Sequence, residues 1–333
     1  MLIQSLWVHQ THEISGLKKK ASAVSVQATA LIIKSNKGMP VDNKTEISLV
    51  LGSGGARGLA HIGIIHLLEE NNYVIKSISG CSIGALIGGI YAAGKLDDFE
   101  EWVRAITKKD IVALMDLSWE KGGLVKGDRV INTLINLVGE ITIEELPMPF
   151  TAIAANVQNE KEVWLNSGRL FDAIRASISL PLLLTPYNHN GVPLIDGGVL
   201  NPVPIAPTFS DNTEMTIAVN LGGPVDSSTT CPVPSPDKEN RPSLLQGKIN
   251  RFITGIQNTV TNRIMPNGGA YDIANQAFDA MQSTIARQKL AAYPPDMLIE
   301  IPRSACGTLE FDRAAEMIDL GYRKAQEIIH SQT

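Results

Sequence analysis

The stretch LVLGSGGARGLAHIG, residues 49–63, decides how the chain is read. An apolar run breaks into a glycine-dense loop with one arginine, and apolar residues then resume at helical spacing. Upstream, TEISLVLG (45–52) is an unbroken apolar run stopped by glycine, the pattern of a strand buried on both faces of a parallel sheet. Downstream, Leu59, Ile62, Ile65, His66 and Leu68 predict a helix to about Asn71. YVIKSIS (73–79) predicts a second strand, and IGALIGGIYAAG (83–94) a small-faced helix closed by Gly94. Strand, loop, helix, strand, tight turn, helix opens a parallel α/β fold. A glycine loop between strand and helix turns backbone N–H groups toward something negative. That is either a bound phosphate or a charge that exists only during a reaction.

The rest of the chain continues the alternation. DDFEEWVRAIT (97–107) is amphipathic, and LMDLSWEKGGLVKGDR (114–129) mixes apolar side chains with glycines as a mobile loop does. PFTAIAANVQN and KEVWLNSG predict paired strands with a turn at Asn159–Glu160. RLFDAIRASISLP (169–181) is a helix ended by Pro181, VPLIDGGVLNPVP (192–204) a strand running into a turn, and EMTIAVNLGG (214–223) another apolar strand. Residues 222–243 are rich in Pro, Ser and charge and are expected to form a flexible insert. Beyond them we expect a helix with Leu245, Ile249, Phe252, Ile256, Val260 and Ile264 on one stripe, and a second from about Tyr271 to Leu290. DMLIEIP (296–302) is a last strand and EFDRAAEMIDLGYRKAQEII (310–329) a last helix. The expected organisation is therefore an N-terminal extension (1–44), poorly ordered, and a core at 45–221. The insert (222–243) and residues 244–333 follow, the latter completing the same domain.

The bulk numbers exclude some partners. Of 333 residues 44% are hydrophobic and 19% charged, enough for a sizeable core. A net charge of −5 without a basic block argues against nucleic acid. Cys81, Cys231 and Cys306 are odd in number, scattered and without metal-ligand spacing. They read as free thiols of a reducing compartment, which points to the cytoplasm. KKKASAVSVQATALII (18–33) is diluted by Ser22, Ser25, Gln27 and Thr29 and matches a signal peptide poorly. Met39 offers an alternative start.

GCSIG (80–84) fits G-x-S-x-G, which sets a serine on a sharp strand-to-helix turn. The blander reading is a glycine-rich turn with an N-cap serine. The apolar strand before it and the helix straight after it favour a nucleophile, Ser82. Such a serine needs a base. Of the histidines, only His189 and His330 follow it at a distance; His330 sits near the end of the chain, and His189 lies in a turn, YNHNG. The other candidate is Asp196, at the end of an apolar strand in LIDGGVLNP, on the rim where the strands' carboxyl ends open. A triad through His189 and a pair with Asp196 are both open on these residues alone.

Four blocks then occur in order: GSGGARG (52–58), GCSIGAL (80–86), AIRASISLP (173–181) and DGGVLNPVP (196–204). Together they resemble the patatin-like phospholipase family, and within it the bacterial RssA-type branch near the neuropathy target esterase group. The resemblance covers residues 46–221 and returns in the closing LEFDRAAEMIDLGYRKA. It implies an α/β/α sandwich with a mostly parallel central sheet. It also implies a Ser–Asp dyad, Ser82 as nucleophile and Asp196 as proton acceptor. The glycine loop becomes an oxyanion hole built from the N–H groups of Gly54, Gly55 and Ala56, with Ile83 adding a donor. Gly52, Ser53, Arg57, Gly58, Gly80, Gly84, Gly197 and Gly198 support these motifs. Ser53 departs from the family's usual glycine and can still donate its N–H. Arg57 reads as a clamp on the loop, and Ser177 and Ser179 as helix-end packing.

The implied activity is acyl hydrolysis of a phospholipid, lysophospholipid or simple ester, at the cytoplasmic face of a membrane touched peripherally. No metal or organic cofactor is expected. The apolar segments Leu114–Trp119 and Leu180–Tyr187 are candidates for an acyl-chain wall or lid. A P-loop string is absent, and a dinucleotide fingerprint starting at Gly52 would place Arg57 on its third glycine. The alternative is a non-catalytic regulator on the same fold.

Overall fold

The computed structural model describes residues 44–115, 125–225 and 270–332. The extension at 1–43, Trp119, Cys231, nearly all of the insert and the helix expected at Leu245–Ile264 lie outside the described residues.

The sheet begins with β1 (Thr45–Leu51) and β2 (Tyr73–Cys81), parallel and joined by α1 (Ala60–Glu70). Between β1 and α1 the loop winds into a 3₁₀ turn, Gly55–Leu59. Helix α2 (Ile83–Ala92) leaves the end of β2 and stops as expected before Gly94, whose φ is +69°. Then come α3 (Leu96–Ala105), α4 (Lys108–Leu114) and α5 (Asp128–Val138). The hairpin of β3 (Phe150–Asn156) and β4 (Lys161–Leu165) turns at Glu160, φ +51°. Helix α6 (Leu170–Ser177) follows, then a second hairpin, β5 (Tyr187–His189) and β6 (Val192–Asp196), and β7 (Met215–Gly223). Helix α7 (Ala270–Ala292), β8 (Met297–Pro302) and α8 (Ala314–Gln332) complete the described chain.

The hydrogen-bonded path is β5-β6-β3-β2-β1-β7-β8, with β4 also on β3; the central run β3-β2-β1-β7-β8 is parallel. The apolar alternation of β1 explains the layering. Ile47, Leu49 and Leu51 join the main core, whereas Val50 packs with Val203, Ile205, Ala218 and Ala286 of α7. A strand buried on both faces must carry helices on both, so the sheet is the middle of three layers.

Some elements differ from expectation. Helix α6 ends at Ser177, four residues before Pro181, because the chain curls into turns at Leu180–Leu184. Within 114–129, Leu114 closes α4 and Asp128 opens α5. Val125 bridges Leu184, so these ends are pinned rather than loose. Gly222 and Gly223 belong to β7 rather than to the insert.

One pairing feature positions the site. Ala152 and Ile153 of β3 pair with both β2 and β4, so those two strands lie on opposite edges of β3. Ala154 and Ala155 pair with both β4 and β6, so β6 lies on the same edge as β2. Strand β2 is parallel to β3 and ends with Cys81 opposite Ile153; β6 is antiparallel and ends with Asp196 opposite Ala154. Two strands thus run head to head along one edge, and their carboxyl ends meet.

Candidate active site

Ser82 is the next residue after Cys81 in that gap, and Asp196 closes the other side. Ser82 Oγ donates to Asp196 Oδ2 at 2.5 Å, across 114 residues of sequence. The serine sits at φ 56°, ψ −122°, a conformation that a non-glycine residue holds only when its surroundings enforce it. They do so here. Its N–H donates to Ser177 Oγ at 2.9 Å, and Ser177 Oγ donates in turn to the Ile153 carbonyl at 2.5 Å. Its carbonyl accepts from Leu86 N–H in the first turn of α2. A side chain at Gly84 would meet the Leu51 carbonyl oxygen at 2.1 Å, which is why the turn needs glycine there.

Asp196 is wholly buried. Its Oδ1 accepts from Gly198 N–H at 2.8 Å and its own N–H donates to the Ser179 carbonyl at 2.9 Å. Burial pushes its carboxyl up to about 6; the hydrogen bonds from Ser82 and Gly198 hold it from going higher. Cys81, one residue before the serine, is also buried. Desolvation, with Asp196 and Glu162 nearby, pushes its thiol well up and keeps it protonated.

The residues of the glycine loop separate into two groups. Among the described residues no partner takes the N–H of Gly54, Gly55 or Ile83, and Gly55 and Ile83 line the same cavity as Ser82. Ala56 differs from expectation. Its N–H donates to the Thr308 carbonyl at 2.9 Å, so it is not a free donor for an oxyanion. Ser53 N–H is likewise taken, by the Pro202 carbonyl at 2.8 Å, and its Oγ accepts from Gln282 of α7. Arg57 is buried and clamps the loop: its guanidinium donates to the carbonyls of Gly54 and Arg303 and to Asp279. His61, wholly buried, places Nε2 2.9 Å from the Gly52 carbonyl, so its proton sits on Nε2. Burial pushes it down to about 4, leaving the ring neutral. Gly52 is held by the Val219 carbonyl, Gly58 packs under Ile83, Gly80 abuts Gly84, and Gly197 abuts the Ile153 carbonyl.

His189 ends β5 with Asn190 as its side-chain partner, and neither His66, which pairs with Glu100, nor His330 bonds to Ser82 or Asp196. The described residues therefore form no triad through these histidines. What sequence reasoning missed is AIRASISLP as a brace. Ser177 holds the turn at Ser82, the Ser179 carbonyl holds Asp196, and Arg175 ties Ser179 Oγ to the Thr185 and Lys126 carbonyls. Its signal was present only as the third of the four ordered blocks.

Ser82 opens into a cavity of about 200 Å³ whose other lining is apolar apart from Thr308. Leu114 and Met115 line it, as do Leu180, Leu183 and Leu184, in keeping with the two apolar segments read from the sequence. Phe99 and Trp102 of α3, and Leu134 of α5, line it too and were not expected.

The patatin-like phospholipase family model matches residues 49–209, which contain all four blocks. An NTE family protein of Mycobacterium tuberculosis is 34% identical over 329 residues, covering 86% of this chain and 91% of its own. The chain belongs to the patatin-like phospholipase family. The lysophospholipase NTE1 of Pyricularia oryzae is 28% identical over 291 residues, 85% of this patatin-like chain but 18% of the fungal protein. Among solved structures, VipD of Legionella pneumophila shares the fold with a TM-score of 0.52 at 16% identity, covering 86% of this chain and 67% of that one. Family membership supports a lipid hydrolase. No helix among the described residues is long and apolar enough to cross a membrane.

Proposed function

We propose that this patatin-like protein hydrolyses carboxylic esters of lipids through a Ser82–Asp196 dyad. The observation that carries the reading is the 2.5 Å contact between the two side chains, with Ser82 lining an apolar cavity. Ser82 Oγ attacks the ester carbonyl and its proton passes to Asp196 Oδ2. The carbonyl oxygen becomes an oxyanion, received by the N–H groups of Gly54, Gly55 and Ile83; one such donor is worth about a hundredfold or more in turnover. As the tetrahedral species collapses, Asp196 returns the proton to the leaving alcohol. Water then attacks the acyl-enzyme with Asp196 again as base. A carboxylate raised to about 6 is ionised at neutral pH yet more basic than a solvated one.

The apolar lining suits a fatty acyl chain, and the lysophospholipases among the relatives suggest a single-chain phospholipid. A protein drawing such a substrate touches the membrane peripherally, at its cytoplasmic face. The test is labelling of the full chain by a fluorophosphonate, with mass spectrometry of the adduct. We expect the adduct on Ser82, none in Ser82→Ala and slow labelling in Asp196→Asn. Folded protein that is never labelled, or labelling indifferent to Asp196, would leave a regulator on this fold as the better reading.

A further inference from the structure

Three side chains belong to two spaces at once. Trp102, Ile106 and Leu114 line the cavity that holds Ser82 and also a second recess of about 310 Å³. The recess is completed by Ala105, Asp110, Ala113 and Thr133 and contains none of the reacting residues. The two spaces are therefore separated by one layer of side chains. Trp102 is the largest of them and leans on Phe99, ring centroids 5.7 Å apart. Helix α4, which supplies Leu114, has no buried residue. A capping box between Thr107 and Asp110 starts it, and Arg129 of α5 ties down its Ala113 carbonyl.

We infer that Trp102, Ile106 and Leu114 form the end wall of the acyl site, and that Trp102 sets the chain length accepted. The inference rests on the reading of the cavity as the acyl site. A chain entering past Ser82 gains about fourfold in kcat/KM for each methylene that finds an apolar place. That gain stops where the wall stands, because a longer chain must fold back or leave its end in water. Removing the indole joins cavity and recess into one channel, so the gain continues. Enlarging Leu114 moves the wall inward and ends the gain earlier.

The experiment is a kcat/KM series on p-nitrophenyl esters from butyryl to palmitoyl. It uses the full chain with wild type, Trp102→Ala, Ile106→Ala and Leu114→Trp. We expect the optimum of Trp102→Ala to lengthen by about two to four carbons, and its long-to-short ratio to rise about tenfold or more. Ile106→Ala should move the same way by less, and Leu114→Trp should shorten the optimum. A second readout needs no turnover: affinity for fluorescent fatty acids of graded length in Ser82→Ala, with and without Trp102→Ala, should show the same displacement. If Trp102→Ala does not fold, Ile106→Ala and Leu114→Trp carry the test in opposite directions. Profiles of one shape in all variants, whatever their height, would overturn the end wall while the esterase reading stands. A wild type that turns over no ester of any length would overturn both.

Discussion

Asp196→Asn should make the folded protein more stable while it cripples the chemistry, and the gain should depend on pH. The carboxyl is wholly buried and lies at about 6 rather than the ordinary 3.8. The folded state therefore binds a proton more tightly than the unfolded one. In wild type the stability associated with that proton is fully present below pH ~4 and is lost as pH rises through about 6. At about 1.4 kcal/mol per pH unit, the loss reaches about 3 kcal/mol by pH ~8, is near half of that at pH ~5 and falls to about a fifth of it at pH ~4. Asparagine has the same shape and cannot ionise. Its Oδ1 can accept from Gly198 N–H as Asp196 does, and its Nδ2 can donate to Ser82 Oγ. The variant should thus gain up to about 3 kcal/mol at pH ~8, a rise in Tm on the order of 5–10 °C. Thermal and urea unfolding followed by circular dichroism between pH 4 and 8 measure it. A variant less stable than wild type at pH 8, or a gain that does not shrink toward pH 4, would refute the reasoning. The first result would mean that the carboxylate is better satisfied than its burial implies; the second, that the effect is packing and not charge.

In the same pH range, kcat/KM for a soluble ester should rise tenfold per pH unit below about 6 and flatten above it, because only ionised Asp196 accepts the serine proton. A profile centred near 7 with a second limb would instead indicate a histidine base. Ser177→Ala strands the part-buried Ser82 N–H and loosens the turn; we expect a loss of about 1–2 kcal/mol in stability and a fall in kcat of about ten- to a hundredfold with little change in KM, read from denaturation and steady-state kinetics. Gly84→Ala places a methyl 2.1 Å from the Leu51 carbonyl and should cost about 3 kcal/mol or prevent folding, seen as loss of soluble protein or a lowered urea midpoint.

The parts of the fold that depend on local pattern were legible in the chain. β1 is buried on both faces and reads as one apolar run. α2 begins at the serine and ends at a glycine with positive φ. The second hairpin turns at Asn190–Gly191, residues that tolerate the left-handed region; the first turns at Glu160, φ +51°, a residue that does not favour it. Helix α5 carries an apolar period at Val130, Ile131, Leu134, Ile135 and Val138 that sequence reasoning passed over, whereas α4 was not legible. Lys108–Leu114 has too few apolar positions to show a period, and its capping box rather than a buried face defines it. Ala56 was misjudged for a similar reason. Spacing places it beside Gly54 and Gly55, but Thr308 takes its N–H from 252 residues away, and no local pattern carries that contact. Ser177 looks like any small residue at a helix end until its two partners, Ile153 and Ser82, are brought beside it by the sheet.

If the proposed dyad does the chemistry, the head-to-head meeting of β2 and β6 explains how two residues would suffice on this fold. In a triad the third residue is needed because an imidazole can rotate and can carry its proton on either nitrogen. A carboxylate has no tautomer to fix, only an orientation. Here the backbone supplies it: Gly198 N–H holds one oxygen, the Ser179 carbonyl holds the main chain of Asp196, and the other oxygen is left to Ser82. The serine is held from the opposite side by Ser177, whose hydroxyl is anchored on Ile153. Ile153 is the β3 residue at which β2 ends, and Ala154 beside it is the one at which β6 ends. Both side chains of the proposed dyad are thereby referred to adjacent residues of a single buried strand. A shift of β3 moves them together and leaves their separation nearly unchanged. That mutual reference, more than the basicity of the aspartate, is what preorganises the pair.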